Sequence, residues 1–156
     1  MNQKQKYDFS EAISKARKYC AYQERCHSEL RSKLNEWGIT AAQGEEVITK
    51  MIEENFLNEE RFARAFARGK HNLKGWGWKK IEIELKKRQI SDYCIQDAQR
   101  EIQTDYIVKL QALLEKKAPL IREKNPQLFR KKLGSYLISK GYEPNVVWEL
   151  LRDYPK

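Results

Sequence analysis

The densest chemistry in the chain lies between Arg61 and Arg88, where ten basic side chains stand against two acidic ones, Glu82 and Glu84. Arg61, Arg64 and Arg68 fall at i, i+3 and i+7, which on a helix draws them into one stripe, with Lys70 close by. Phe62, Ala65, Phe66 and Gly69 fall at i, i+3, i+4 and i+7 and form a second, apolar stripe, the expected buried face of that helix. The run Lys74-Gly75-Trp76-Gly77-Trp78-Lys79-Lys80 follows. Glycines let a backbone come close to a phosphate, and the next helix offers N–H donors at its N-terminus. Lysines there add counterion-release affinity, and Trp76 or Trp78 has the flat face needed to stack on a base. Anion recognition is the chemistry this stretch predicts.

Other chemistries find little support. The chain has no Walker-type glycine loop, HExxH or nucleophile elbow, and Gly75-x-Gly77 follows a predicted helix instead of a strand. Glu82 and Glu84 stand two apart on a helix and point in different directions, so they do not form a paired carboxylate site. Cys26-His27 is half of a metal-ligand pattern, but no second pair accompanies it. Cys20, Cys26 and Cys94 read better as buried free thiols of a reducing compartment. No catalysis, cofactor or metal is expected.

The elements that carry these residues are helices. Fourteen Leu and 11 Ala outweigh 4 Val and 3 Thr, and Gly and Pro number only 7 and 4 in 156 residues. Three segments share one apolar register: Leu30/Leu34/Ile39, Ile81/Leu85/Ile90 and Leu133/Leu137/Tyr142. In each, a four-residue step keeps two side chains on one helix face, and a five-residue step carries the chain through a turn. Gly38 and Gly141 supply the left-handed position of two of these turns.

Flanking helices are predicted on both sides of each central one. Those before it run over Ser10–Tyr22 (N-cap Ser10), Asn58–Asn72 (N-cap Asn58) and Asp105–Lys117. Those after it run over Ala41–Asn55 behind Thr40, Asp92–Gln103 behind Ser91, and Pro144–Asp153, while Asn125-Pro126 announces the third central helix. The expected fold is all-α: three tandem three-helix, helix-turn-helix-like repeats over residues 1–57, 58–103 and 104–156 in an elongated, curved array.

Divided this way, the first repeat is electrically neutral, the second carries +4 and the third +5, which together make the net +9. The charge is a located surface, which solubility alone does not require. A basic face can be no more than a solvated one, and tryptophans beside glycines can cap a core. Confinement of the charge to two repeats favours a polyanion or an acidic partner. No apolar run exceeds four residues, and Met1–Asp8 is polar with no apolar stretch behind it, so a secretory leader or membrane span is not expected.

Phe56-Leu57-Asn58-Glu59-Glu60-Arg61-Phe62-Ala63-Arg64, then Lys74-Gly75-x-Gly77, then Ile81-x-x-Glu84-Leu85 and Ile90, resembles the core signature of the bacterial regulatory protein family RecX. Trp78 stands where that family often has proline, Gln89 where it usually has glycine, and Asn58 where aspartate is more usual. The resemblance implies three tandem three-helix repeats and a cytoplasmic, monomeric, non-enzymatic regulator. Such a protein binds RecA and RecA–DNA filaments and restrains ATP hydrolysis, strand exchange and the co-protease activity of the SOS response. Its partners are then RecA and single- or double-stranded DNA, without sequence preference. Candidate contacts are Arg61, Arg64, Arg68, Lys70, Lys74, Trp76, Trp78, Lys79 and Lys80, with Lys86, Lys87 and Arg88, and Arg130, Lys131 and Lys132 of the third repeat. The alternative is a stand-alone helical-repeat binder of DNA or RNA, against which stand Glu29, Glu36, Glu82 and Glu84 on the central helices.

Overall fold

A computed structural model of the chain describes residues 7–155. The leader-free reading of Met1–Asp8 therefore lies, through Lys6, outside the described residues. Among the described residues nine α-helices follow one another: α1 Phe9–Tyr22, α2 His27–Glu36, α3 Ala41–Glu53, α4 Glu59–Lys74, α5 Trp78–Lys87, α6 Asp92–Arg100, α7 Tyr106–Lys117, α8 Pro126–Ser139 and α9 Pro144–Leu151. A short 3-10 turn, Ala118–Leu120, extends α7. The described residues contain no strand, and none of their helices is long and apolar enough to cross a membrane.

Caps account for the boundaries. Thr40, Asn58, Ser91 and Asn125 each accept a hydrogen bond from a backbone N–H of the helix they precede. The first helix begins one residue earlier than predicted: the cap is Asp8 in place of Ser10, because Asp8 and Glu11 form a reciprocal capping box that Ser10 cannot. Gly38 and Gly141 take φ of 79° and 104° at the turns between central and third helices, and Gln89 adopts φ 60° at the equivalent point without glycine's freedom.

Each central-helix anchor is buried in a separate core. Leu30, Leu34 and Ile39 join Ala12, Ala16, Val47 and Met51 in the first. Ile81, Leu85 and Ile90 join Phe62, Ala63, Ala67 and Ala98 in the second. Leu133, Leu137 and Tyr142 join Leu110, Leu114 and Val147 in the third. Extensive helix–helix packing stays within each triplet, so the units meet through edges and turns. The buried face of α4 is rotated from the predicted one. It carries Phe62, Ala63, Ala67 and His71, while Ala65, Phe66 and Gly69 are only half-buried. The cause is the small pair Ala63/Ala67, which lets α6 lie close against α4.

Two joints connect the units. At the first, Cys26 of the leading unit is buried in the second core, and Ser28 donates to the carbonyl of Arg88 at 3.0 Å. At the second, the turn before α5 lies against the turn after α8. Gly77 N–H donates to the Lys140 carbonyl at 2.8 Å and Lys79 N–H to the Gly141 carbonyl at 2.9 Å. Trp78 N–H donates to the Tyr106 hydroxyl at 2.8 Å, and that hydroxyl donates in turn to Glu143. Tyr106 also stacks on the buried His71 at 5.5 Å and tilts against Tyr142 at 5.1 Å.

Candidate functional site

The arginine stripe of α4 is built as predicted but is already engaged. Arg61 holds Glu24 of the first unit at 2.7 Å and the carbonyls of Asn55 and Phe56 at 3.0 and 3.3 Å, so it clamps the first joint. Arg64 reaches Asp97 at 2.6 Å and Arg68 reaches Glu101 at 3.2 Å, tying α4 to α6. The hydrogen bond from Arg64 holds the Asp97 carboxyl below the usual carboxylate range. These arginines consequently present pairs, not bare charge. Apart from Glu60, one turn before Arg64 and 3.5 Å from it, the sequence could not display their acids, which come from segments 33 to 37 residues away.

The glycine–tryptophan run is the second correction. At the start of α5, where N–H groups were expected to receive a phosphate, those of Gly77, Lys79 and Trp78 are spent on Lys140, Gly141 and Tyr106 across the second joint. A Cβ at Gly77 would lie 2.4 Å from the Gly141 carbonyl carbon, so this glycine exists for the approach of another backbone, not of a phosphate. Trp78 is 5% exposed, with its ring in the second core and its indole N–H on Glu82 at 3.2 Å. It is unavailable for base stacking, and its spacing to Ile81 and Leu85 was the signal for a core position.

What this joint does present is uncompensated charge. Lys70, Lys74, Lys79 and Lys80 of the second unit make no ion pair among the described residues, nor does Lys140 of the third, which the sequence reading missed. Lys140 Nζ donates to the Lys74 carbonyl at 2.9 Å, and Lys80 stands against Gly141. Burial, then the charges of Lys80 and Lys74, pull the Lys140 ammonium below its ordinary pKa. Trp76 is half-buried and its ring lies 4.6 Å from the ammonium group of Lys80 and 5.0 Å from that of Lys70, one aromatic side chain shared by two cations. Like charges gathered without ion-pair partners are costly alone and are relieved by an anion brought from outside.

The remaining candidates are dispersed. Lys86 pairs with Glu82, Lys87 with Glu84, and Arg88 with Glu84 at 3.0 Å and Glu29 at 3.9 Å, so Arg88 also serves the first joint. On α8, two to three turns before Lys140, Lys132 pairs with Glu123 at 3.0 Å, Arg130 donates to the Tyr154 carbonyl at 3.5 Å, and Lys131 is exposed. Cys26 and His27 diverge, the thiol into the second core and the imidazole to Glu59 at 3.3 Å. Cys20 is likewise buried, and its thiol is pushed up to about 11.

Comparison with known proteins agrees with this architecture unit by unit. Models of the first, second and third three-helix domains of RecX match residues 12–51, 58–98 and 104–151. The regulatory protein RecX of Prosthecochloris aestuarii is 28% identical over 92% of this chain and 93% of its own length. That of Pasteurella multocida is 26% identical over 80% of this chain and 76% of its own. Against the RecX of Geobacillus thermodenitrificans, 24% identical, the chain spans about half of the relative, 53%. The crystal structure of RecX from Lactobacillus salivarius superposes with a TM-score of 0.82, 25% identity, and coverage of 93% of this chain and 95% of that one. With three consecutive domain matches and the same three-unit fold, this chain belongs to the RecX family of regulatory proteins.

Proposed function

We propose that this chain is a non-enzymatic regulator that binds RecA and RecA–DNA filaments and restrains their ATP hydrolysis, strand exchange and co-protease activity. The observation that carries the reading is the lysine group spanning the second joint, Lys70, Lys74, Lys79, Lys80 and Lys140 around Trp76, which has no carboxylate partners among the described residues. A polyanion supplies the missing counter-charge, and release of its condensed cations makes the contact salt-dependent and blind to sequence. Trp76, shared by two ammonium groups, offers the aromatic surface. Membership of the RecX family supports RecA, the recombinase that polymerises on that DNA, as the protein partner. Arg61 holds the first two units in a fixed relation and Arg64 and Arg68 tie α4 to α6 within the second, so these paired arginines are not the contact surface.

The test replaces Lys74, Lys80 and Lys140 together by Glu and follows binding to labelled single-stranded DNA and inhibition of the RecA ATPase. Both should collapse, with a shallower salt dependence of what binding persists. An unchanged variant overturns the assignment of these lysines. Tight, sequence-selective DNA binding by the intact protein without any effect on RecA would instead establish the stand-alone binder.

A further inference from the structure

The third unit departs from the second at one place, the space between its first and last helices. In the second unit α4 and α6 pack closely along each other, and α1 and α3 do so in the first. Helices α7 and α9 do not. They leave between them a groove of about 560 Å³, floored by Ile107, Leu110 and Leu114 of α7 and Val146 and Leu150 of α9. The cause is volume. Ala63 and Ala67, the small buried pair on α4, correspond to Leu110 and Leu114 on α7, whose longer side chains hold the facing helix away.

The charges changed with the packing. Counting from the aligned anchors Ile81/Leu133 and Ile90/Tyr142, Asp97 of α6 and Glu101 just past its end correspond to Glu149 of α9 and Asp153 two residues past its end. Counting from Ala63/Leu110 and Ala67/Leu114, Arg64 and Arg68 of α4 correspond to Gln111 and Glu115 of α7. The second unit fills this place with the pairs Arg64–Asp97 and Arg68–Glu101. The third keeps both acids, loses both arginines and adds a third carboxylate. All of these groups line the groove, and Glu115, Glu149 and Asp153 make no ion pair among the described residues. An apolar trough edged by unpaired acids, on a chain of net charge +9, is complementary to one kind of ligand.

We infer that the α7–α9 groove is a docking site for a basic amphipathic helix of a partner protein. That helix lays two or three large apolar side chains on the groove floor, and two Arg or Lys one turn apart meet Glu149 and Asp153 as Arg64 and Arg68 meet their acids in the second unit. A trough lined by two helices, apolar on its floor and charged at its edge, is what helix-in-groove recognition uses. The site shares no residue with the lysine group at the second joint and does not depend on it.

The experiment uses the full chain and a labelled 16-residue synthetic helix with Leu one and two turns apart and two Arg one turn apart, followed by fluorescence anisotropy. A matching peptide with Glu at the two Arg positions is the control. The Arg peptide is expected to bind saturably at least tenfold more tightly than the Glu peptide. Changing Glu115→Gln, Glu149→Gln and Asp153→Asn together should remove that preference. The double variant Gln111→Arg, Glu115→Arg, which restores the pairs of the second unit, should melt higher than the wild-type chain and bind the Arg peptide at least tenfold more weakly. Equal binding of both peptides, no saturable binding, or a double variant that melts no higher and still binds overturns the inference. So does self-association of the chain that the carboxylate changes abolish, since the occupant would then be a second copy.

Discussion

Replacing Gly77 by Ala separates the two roles open to the glycine–tryptophan run. A Cβ at this position would stand 2.4 Å from both the Gly141 carbonyl carbon and the Tyr142 nitrogen, and 2.5 Å from the Gly141 oxygen. Ordinary contact requires about 3.4 Å or more, so the two turns must part by roughly 1 Å. That motion stretches the 2.8 Å bond from Gly77 to Lys140 and the 2.9 Å bond from Lys79 to Gly141 beyond useful hydrogen-bond length. Each bond contributes about 0.5–1.5 kcal/mol, and a buried group left unpaired adds to the loss, for a total of about 2–4 kcal/mol. The assay is urea unfolding followed by tryptophan fluorescence, because Trp76 and Trp78 sit at the joint, together with anisotropy on single-stranded DNA. The unfolding midpoint should fall clearly, and DNA affinity should fall with it as Lys140 moves away from Lys74 and Lys80. Gly75→Ala is the control: its Cβ would meet only the Leu113 and Lys140 side chains, both at 3.9 Å and so in ordinary contact, which leaves the strain of φ 70°, about 1 kcal/mol. A Gly77→Ala protein as stable as the wild type refutes the joint. If it also lost DNA affinity, the glycine would serve a phosphate after all.

Other outcomes follow from the same contacts. Gln89→Gly relieves a left-handed φ of 60° in a residue that is not glycine and should stabilise the chain by about 0.5–1 kcal/mol, raising Tm by a few degrees. Arg64→Ala should lower Tm, because Asp97 loses its partner, while leaving DNA affinity within a factor of two or three. The carboxyls of Asp97 and Glu84 are held low by Arg64 and Arg88, so their stabilisation is complete above the unfolded-state values near 4 and is lost as pH falls through the lower folded ones. Acid unfolding of the wild type should therefore begin below pH 4 and move to higher pH in Arg64→Ala. The opposite sign holds for tyrosine. Burial and Glu143 raise Tyr106, and burial pushes Tyr142 up to about 12, so their stabilisation is complete below pH 10 and is lost at higher pH. An ultraviolet titration should show Tyr106 and Tyr142 ionising only above pH 10, with unfolding of the third unit.

The parts legible in the sequence were those set by local chemistry. Caps at Thr40, Asn58, Ser91 and Asn125, left-handed turns at Gly38 and Gly141, and the Leu/Ile register of the central helices depend on neighbours within five residues. The site was legible only in composition. Lys86, Lys87 and Arg88 pair with acids three or four residues away, but the decisive partners on α4 lie far along the chain, as with Arg61 and Glu24 or Arg64 and Asp97. Gly77 and Gly141 meet only because two turns from different units dock, and neither neighbourhood announces the other. Lys140 escaped notice for the same reason: its charge matters through Lys74 and Lys80, brought to it by the joint. Trp78 was readable in principle, since its spacing to Ile81 and Leu85 is that of a buried stripe, but the glycines around it made a loop the more visible pattern.

The central claim meets its most direct test in a titration of the intact protein into RecA filaments assembled on single-stranded DNA, with ATP hydrolysis followed beside filament length. Hydrolysis and length should both fall as protein is added, and the Lys74→Glu, Lys80→Glu, Lys140→Glu variant should require far more protein for the same effect. Hydrolysis that stays constant at protein stoichiometric with RecA would contradict the assignment of this RecX-family chain as a filament regulator.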